Sequence, residues 1–183
     1  MVEDQDHDII RRILQGQRDE FSVLVSRHQD MIFAMIMRQV GEMAAAKDLT
    51  QDSFVKAYHN LGRFRFEAKF STWLTRIALN ITNSYFSSRR YRTRKLEQEF
   101  KQEVHEMSTE NNEDEADKEV LIASLREALG DLKPHFRDVM VLCGVEGRSY
   151  DEAAAILEIP VGTVRSRLNK ARLLLKQAFG LAA

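Results

Sequence analysis

A scarcity of helix breakers is the feature that most limits what this chain can fold into. Its 183 residues include only two prolines and eight glycines. Alanine, leucine, glutamate, glutamine, lysine and arginine, which favour helices, are abundant, whereas runs of β-branched residues are scarce. The sequence therefore predicts an all-α fold.

Composition excludes the fully disordered, collagen-like and membrane-spanning classes. Hydrophobic residues make 44% of the chain and charged residues 30%, which is typical of soluble folding sequences. The longest apolar stretch, Met31 to Met37, is far shorter than the roughly 20 residues that cross a bilayer. The N-terminus is acidic where a signal peptide is basic. We expect a cytoplasmic protein with no membrane insertion of its own.

Residues typical of metal sites and catalysis do not cluster in the sequence. Cys143 is the single cysteine and cannot form an internal disulfide. The five histidines show no metal-ligand spacing: His7, His28, His59, His105 and His135. No paired carboxylates, Ser-His set or Gly-rich phosphate loop stands out either. We expect neither metal nor cofactor, and no enzymatic activity.

Charge is divided unevenly along the chain, although the net charge is only −1. Residues 97–119 hold ten acids against two lysines, a net of −8, so the remainder carries +7. Two runs, 89–95 and 161–176, contain five cations each and no acid. Such runs are typical of surfaces that bind a polyanion, because each neutralised phosphate releases counterions.

The acidic stretch also divides the chain into two parts. It lacks apolar periodicity and is too polar to be buried, which favours a flexible linker. The sequence therefore predicts two small helical domains, residues 1–95 and 118–183, joined by a linker over residues 96–117.

Four helices are predicted in the N-terminal part from apolar residues at helical spacing. The first ends at Gly16, the second at Gly41, the third spans Met43 to Tyr58, and the fourth spans Phe70 to about Arg90. The exposed side of the third helix carries Asp48, Gln51, Asp52 and Lys56.

One flank of the fourth helix is suited to nucleic acid. Amides and cations together match base edges and phosphates. Phe64 and Phe66 precede this helix and offer stacking faces to unpaired bases, although helix packing explains them equally well. The polar flank and the basic residues that follow it are Arg76, Asn80, Asn83, Ser87, Arg89 and Arg90.

The C-terminal part begins with two predicted amphipathic helices. The second runs through Phe136 and Val139 to Cys143, where we expect the thiol to be buried. The apolar stripe of the first helix is Val120, Leu121, Leu125, Leu129 and Leu132.

A helix-turn-helix follows. Ser149 and Glu152 form a capping box that opens a short helix, and the segment Ile159 to Gly162 breaks it. The apolar seam of the last helix is Val164, Leu168, Ala171 and Leu175.

The opposite side of this last helix has no acid and fits the major groove of DNA. In such helices the N-terminal half contacts base edges, and later cations contact phosphates. The candidate residues are Arg165, Ser166, Arg167, Asn169, Lys170, Arg172 and Lys176.

Three segments closely resemble the extracytoplasmic-function branch of bacterial sigma factors: 48–58 (DLTQDSFVKAY), 70–78 (FSTWLTRIA) and 159–168 (IPVGTVRSRL). The resemblance implies that Asp48, Gln51, Asp52 and Lys56 dock on core RNA polymerase. It further implies that residues 70–94 capture the melted minus-ten promoter element and that the helix-turn-helix reads the duplex minus-thirty-five element. An anti-sigma factor is the implied regulator.

The linker is long enough for this role only when it is stretched. Promoter elements about two helical turns apart lie roughly 70 Å from each other, whereas a flexible segment as long as the 23-residue acidic stretch 97–119 averages about 25 to 30 Å. We expect core polymerase to extend the linker, and we expect its acidic residues to mimic nucleic acid in a cationic channel.

Two alternatives remain open on the residues alone. A stand-alone helix-turn-helix regulator accounts for the C-terminal part and leaves the 48–58 and 70–78 motifs unexplained. A nucleic-acid-processing enzyme would need its acids to hold a metal, and the densest run of acids lies in the predicted linker, which offers no rigid support.

Overall fold

The computed structural model describes residues 5–99 and 113–180, with the side chains of residues 89–99, 113–117 and 119 outside the description. Within these ranges it is helical and contains no strand, which confirms the all-α prediction. The helices are α1 (Gln5–Leu14), α2 (Phe21–Val40), α3 (Met43–Asn60), α4 (Phe70–Glu99), α5 (Glu113–Asp131), α6 (Pro134–Val139), α7 (Tyr150–Leu157) and α8 (Val161–Ala178).

In the N-terminal half (α1–α4), α2, α3 and α4 pack against one another and α1 lies on α2. Leu24, Ile36, Phe70 and Leu74 are completely buried between them. Helix α2 ends at Gly41, whose φ of 74° is the left-handed conformation that glycine adopts without steric cost. The helix ends predicted at Gly16 and Gly41 are confirmed.

Helix α1 holds the connection between α3 and α4. The His7 ring contacts the rings of Phe64 and Phe66 edge-on, with centroids 5.5 and 5.4 Å away, and its Nε2 lies 3.0 Å from the carbonyl oxygen of Ala68. Phe66 adopts a φ of 59° beneath the Arg11 guanidinium. Because Phe64 is buried, internal packing explains this ring.

In the C-terminal half (α5–α8), the second helix is not regular, contrary to the prediction. Helix α6 ends at Val139, and a π-helical turn follows it over Met140–Val145. The Glu146 N–H donates to the Val141 carbonyl five residues back, at 2.8 Å. The wider turn places both Val141 and Leu142 in the core.

The predicted apolar stripe of α5 is buried only at its C-terminal end. Leu129 and Leu132 pack against α8, but Val120, Leu121 and Leu125 are 65%, 61% and 39% exposed. The predicted helix is present, and the apolar residues towards its N-terminal end lie on the surface. The buried cluster that α5 shares with α8 begins at Leu129, so the apolar residues before Leu129 lie outside that cluster.

The helix-turn-helix agrees with the sequence. The Glu152 N–H donates to Ser149 Oγ at 3.2 Å and the Ser149 N–H donates to Glu152 Oε2 at 2.9 Å, which confirms the capping box. Glu158 ends α7 with a φ of 54°. The predicted seam of α8 is buried: Val164, Leu168, Ala171 and Leu175.

The two halves pack against each other, with α4 on α7 and α2 on α5. One cluster of buried side chains extends from Ile9 in α1 to Leu168 in α8. We call this the closed arrangement. The helices α4 and α5 extend into both ends of the predicted linker, while residues 100–112 lie outside the described part of the chain.

Candidate nucleic-acid and protein interfaces

The outer side of α8 is a cationic surface. In the closed arrangement Arg167 is half-buried, and the other candidate residues of this helix are exposed: Arg165, Ser166, Asn169, Lys170, Arg172 and Lys176. No acid occurs among the 18 residues of α8. The buried seam on the opposite side fixes which side chains point outward, as the spacing predicts.

The positive potential of this surface extends to α6. Burial lowers the pKa of His135, and the positive charges of Arg167 and Lys133 lower it further. The imidazole is therefore neutral at pH 7, and the local charge comes from the arginine and lysine side chains.

On α3, the four predicted docking residues are all exposed: Asp48, Gln51, Asp52 and Lys56. The intervening Leu49, Ser53 and Phe54 are buried, so packing fixes the outward side of this helix.

A groove of about 860 Å³ lies beside Gln51 between α2 and α3. Apolar residues of both helices line the groove, together with Asp30, Lys47 and other polar residues. Sequence reasoning missed the groove, because only tertiary packing brings these residues together. The apolar lining comprises Phe21, Val25, Phe33, Phe54, Val55 and Tyr58.

The predicted DNA-binding flank of α4 is divided by the closed arrangement. Asn80 and Ser87 are exposed. Arg76 forms an ion pair with Glu158, and Asn83 bonds to the C-terminal half. Arg89 and Arg90 belong to α4, but their side chains lie outside the described residues.

Both the oxygen and the nitrogen of the Asn83 side-chain amide form hydrogen bonds with the C-terminal half. Its oxygen accepts from Arg137 Nη1 at 2.7 Å, and its nitrogen donates to Asp138 Oδ1 at 2.8 Å. Burial raises the pKa of Asp138 to about 6, although the Asn83 bond and the charges of Arg137 and Arg167 oppose the shift.

Sequence reasoning missed Arg137, which lies at the interface between the two halves. It is only 2% exposed and donates to the carbonyl oxygens of Leu129, Gly130 and Leu132 at 2.6 to 2.9 Å, so it caps the end of α5. Its guanidinium carbon lies 4.4 Å from the centroid of the Phe86 ring on α4. The sequence contains no local signal for these contacts.

Two further contacts join the halves around Arg38 at the end of α2. Arg38 Nη1 bonds to Glu146 Oε1 at 2.7 Å, and Arg126 Nε donates to the Arg38 carbonyl at 3.3 Å. The Arg126 side chain also lies across Gly41, where a Cβ would come within 2.9 Å of it.

His28 and Cys143 have structural roles. His28 Nε2 lies 2.7 Å from Asp6 Oδ2, and Arg27 bonds to the same carboxylate. Cys143 is half-buried, and burial raises the pKa of its thiol. Over residues 5–99 and 113–180, no group of His, Cys, Asp and Glu could hold a metal, and no helix is long and apolar enough to cross a membrane.

Two family models match the chain. The model described as Sigma-70 region 2 matches residues 24–92, and that described as Sigma-70, region 4 matches residues 122–175. The first match covers the candidate surfaces on α3 and α4, and the second covers the helix-turn-helix.

Similar curated proteins extend over nearly the whole chain. The RNA polymerase sigma-H factor of Pseudomonas aeruginosa is 32% identical, covering 94% of this chain and 92% of that protein. The ECF RNA polymerase sigma-E factor of Escherichia coli K12 is 33% identical over 91% of this chain and 90% of that protein. For the ECF sigma factor SigW of Bacillus subtilis the identity is 30%, over 89% and 90%.

Two solved structures are also similar. CnrH, solved in complex with the cytosolic domain of CnrY, has 29% identity and a TM-score of 0.62, over 97% of this chain and 98% of that one. The sigma factor RpoE of Bartonella quintana, solved with the anti-sigma factor NepR, shares the fold at 23% identity and a TM-score of 0.54, over 90% and 99%.

Proposed function

Because this chain belongs to the extracytoplasmic-function branch of the sigma-70 family, whose members direct RNA polymerase to promoters, we propose a division of that function among three of its surfaces. In this proposal residues 1–95 form a domain that docks on polymerase and opens the minus-ten element. Residues 118–183 form a domain that reads the minus-thirty-five element, and residues 96–117 link the two.

The outer side of α8 reads duplex DNA. This assignment is supported by one observation above all: an acid-free arc of cations and amides exposed on a helix whose opposite side is anchored in the core. Arg165, Ser166 and Asn169 lie in the N-terminal half and match base edges, whereas Arg172 and Lys176 match phosphates further along.

The flank of α4 takes the melted strand. Asn80 and Asn83 present amides, Arg76 presents a cation, and Arg89 and Arg90 continue the basic run. Unpaired bases expose their hydrogen-bonding edges, which amides match, while the cations neutralise the phosphates.

Helix α3 docks on core RNA polymerase. Asp48, Gln51, Asp52 and Lys56 supply polar contacts, and the neighbouring groove between α2 and α3 accepts apolar side chains of the polymerase. A polar rim beside an apolar depression is the usual composition of such an interface.

The chain acts as an initiation factor and not as an enzyme, works in the cytoplasm with the polymerase, and uses no cofactor. It is regulated by an anti-sigma factor. The structure of the similar RpoE was determined with such a partner.

Reconstituted transcription tests the proposed function. Core RNA polymerase is mixed with the purified chain and a promoter library, and transcripts are sequenced with and without the chain. We expect initiation at a defined promoter set only when the chain is present. Specific duplex binding without any polymerase-dependent transcript would overturn the proposal and favour a stand-alone regulator.

A further inference from the structure

The N-terminal part of α5 exposes an apolar side. Leu121 and Leu125 continue, at four-residue spacing, the side on which Leu129 and Leu132 pack against α8. Of the eight large hydrophobic side chains that are exposed within the described residues, four lie on this part of α5: Val120, Leu121, Ile122 and Leu125. Contiguous exposed apolar surface of this kind indicates a binding surface.

The segment that precedes α5 in the chain carries a matching stripe. Residues 108–117 are almost wholly polar, but the residues before them are not. Spacings of four, four and three, which place side chains on one side of a helix, separate Leu96, Phe100, Val104 and Met107. The same spacings separate Leu121, Leu125, Leu129 and Leu132. Most of the residues between Leu96 and Met107 are glutamate, glutamine and lysine, which favour helices.

We propose that residues 96–107 form a helix whose apolar stripe packs antiparallel against the exposed apolar side of α5. The occupant of this surface is then a segment of the same chain, most of which lies outside the described residues. Residues 108–112 (STENN) supply the turn of this helical hairpin. Their polar side chains favour turns, and connections of about five residues are usual between antiparallel helices.

The lengths and ends of the two partners agree. At 1.5 Å per residue, residues 96–107 extend over about 17 Å and residues 113–125 over about 18 Å. Helix α4 reaches Glu99 and α5 begins at Glu113, so helix is present at both ends of the connection. Asn112, directly before α5, is a residue type that commonly caps helix N-termini. Because five residues join the segment to α5, its effective concentration at that surface is high.

Charge opposes this packing. Residues 97–119 carry a net charge of −8, so the hairpin brings like charges together. Lys101 and Lys118 are the two cations that reduce the repulsion. Salt screens repulsion between exposed charges and leaves apolar contact in place, so the packing should strengthen as the salt concentration rises. An interface held by ion pairs would respond in the opposite direction.

The hairpin shortens the connection between the two halves. A flexible connection extends freely when core polymerase pulls on it, whereas a packed segment has to leave α5 first. This consequence rests on the proposed function of the linker, but the packing itself is measured on the free chain.

Hydrogen–deuterium exchange of the full-length chain, followed by mass spectrometry, measures the packing. We expect the amides of residues 98–107 to exchange at least about tenfold more slowly than the same amides in a synthetic peptide of residues 96–112, because packed helical amides exchange only on opening. Their protection should be greater at about 0.5 M than at about 0.05 M sodium chloride.

Leu121→Gln combined with Leu125→Gln removes the apolar surface that accepts the segment. The buried Leu129 and Leu132 remain, so the C-terminal half should keep its fold. We expect residues 98–107 to lose about tenfold in protection, while the amides of α8 exchange as in the wild type.

A matched control combines Leu14→Gln with Met43→Gln. Both side chains are apolar and about half exposed, and both lie in the N-terminal half. This control should leave the exchange of residues 98–107 unchanged.

A reciprocal variant, Phe100→Gln combined with Val104→Gln, alters the segment and leaves α5 intact. It should release residues 98–107 to the same extent and also speed exchange of residues 118–125 in α5. It tests the packing in a chain whose C-terminal half is unaltered, should the α5 changes unfold that half.

Four results would overturn the hairpin. Exchange of residues 98–107 at the peptide rate in the wild type shows that the segment is not packed. Unchanged protection in the α5 and reciprocal variants shows that these apolar residues do not hold it. Protection that falls with rising salt indicates ion pairing. Protection that disappears on dilution, with a dimer seen by light scattering, assigns the α5 surface to a second copy of the chain.

Transcription with core RNA polymerase is measured separately on the same proteins. Failure of the wild type to direct initiation would overturn the proposed function and leave the hairpin standing. Normal initiation by a chain whose residues 98–107 exchange at the peptide rate would overturn only the hairpin.

Discussion

Arg165 and Lys176 lie at opposite ends of α8, and their positions predict different effects on DNA binding. Arg165→Ala should cost about 1 to 3 kcal/mol in discrimination between minus-thirty-five sequences, because it removes a base contact. Lys176→Ala should weaken binding to all sequences alike, because it removes a phosphate contact. Titrations of duplexes with and without the preferred element measure both effects.

The control for this comparison is Arg18→Ala, which removes an exposed cation of the N-terminal half. It should alter duplex binding by the C-terminal half far less than either substitution. Unchanged discrimination in Arg165→Ala would mean that α8 meets DNA through a different face.

Asp138 makes stability depend on pH. Burial raises its pKa from 3.8 to about 6, so its neutral form is favoured in the folded chain. The resulting stabilisation is present below pH 3.8 and is lost as the pH rises through 6. Asp138→Asn, which stays neutral, should raise the free energy of unfolding at pH 7.5 by about 1 to 2 kcal/mol, since partial exposure reduces the full effect.

Urea denaturation of the wild type and Asp138→Asn between pH 4 and 7.5 measures this difference. The advantage of the variant should shrink towards pH 4, whereas an exposed substitution, Asp151→Asn, should show no such trend. A pH-independent difference between Asp138→Asn and the wild type would contradict the assignment of the shift to Asp138.

At the scale of single elements, the capping box that opens α7 is a local source of stability for the helix-turn-helix. Ser149→Ala removes the oxygen that accepts from the Glu152 N–H and should lower the free energy of unfolding by about 1 kcal/mol. Ser149→Asp restores an acceptor and should recover most of the loss. Equal stabilities of the alanine and aspartate variants in thermal unfolding would contradict the capping role.

The elements that could be predicted from sequence are those specified by local chemistry. The seam of α8 follows from helical spacing, the start of α7 from Ser149 and Glu152, and the end of α2 from Gly41. In each case the residues that determine the feature are neighbours in the chain, so a short window is enough.

Elements that depend on distant contacts were not predictable in this way. The π-helical turn at Met140–Val145 follows a six-residue helix and brings two adjacent residues into the core. The burial of Arg137 depends on carbonyls of α5 and an amide of α4. The exposed residues on α8 were predicted. The hydrogen bonds of Asn83 and the groove beside α3 were not, because each depends on contacts between different helices.

At the scale of the whole molecule, the Arg38–Glu146 pair joins α2 to the C-terminal half. Glu146→Arg sets two cations against each other and should increase the radius of gyration. Adding Arg38→Glu restores opposite charges and should return the radius towards that of the wild type. X-ray scattering of both variants at low salt measures the effect, and failure of the double variant to recover would mean that the pair does not contribute to closure.

Glu158 ends α7 in a backbone conformation that costs an ordinary residue about 1 to 2 kcal/mol and costs glycine almost nothing. Glu158→Gly should therefore give a protein that melts at a higher temperature. The same change deletes the acid that faces Arg76, so the two halves separate more readily at ambient temperature. Thermal stability and closure of the two halves are therefore separate properties of this chain. A screen that selects only for thermal stability would tend to lose closure.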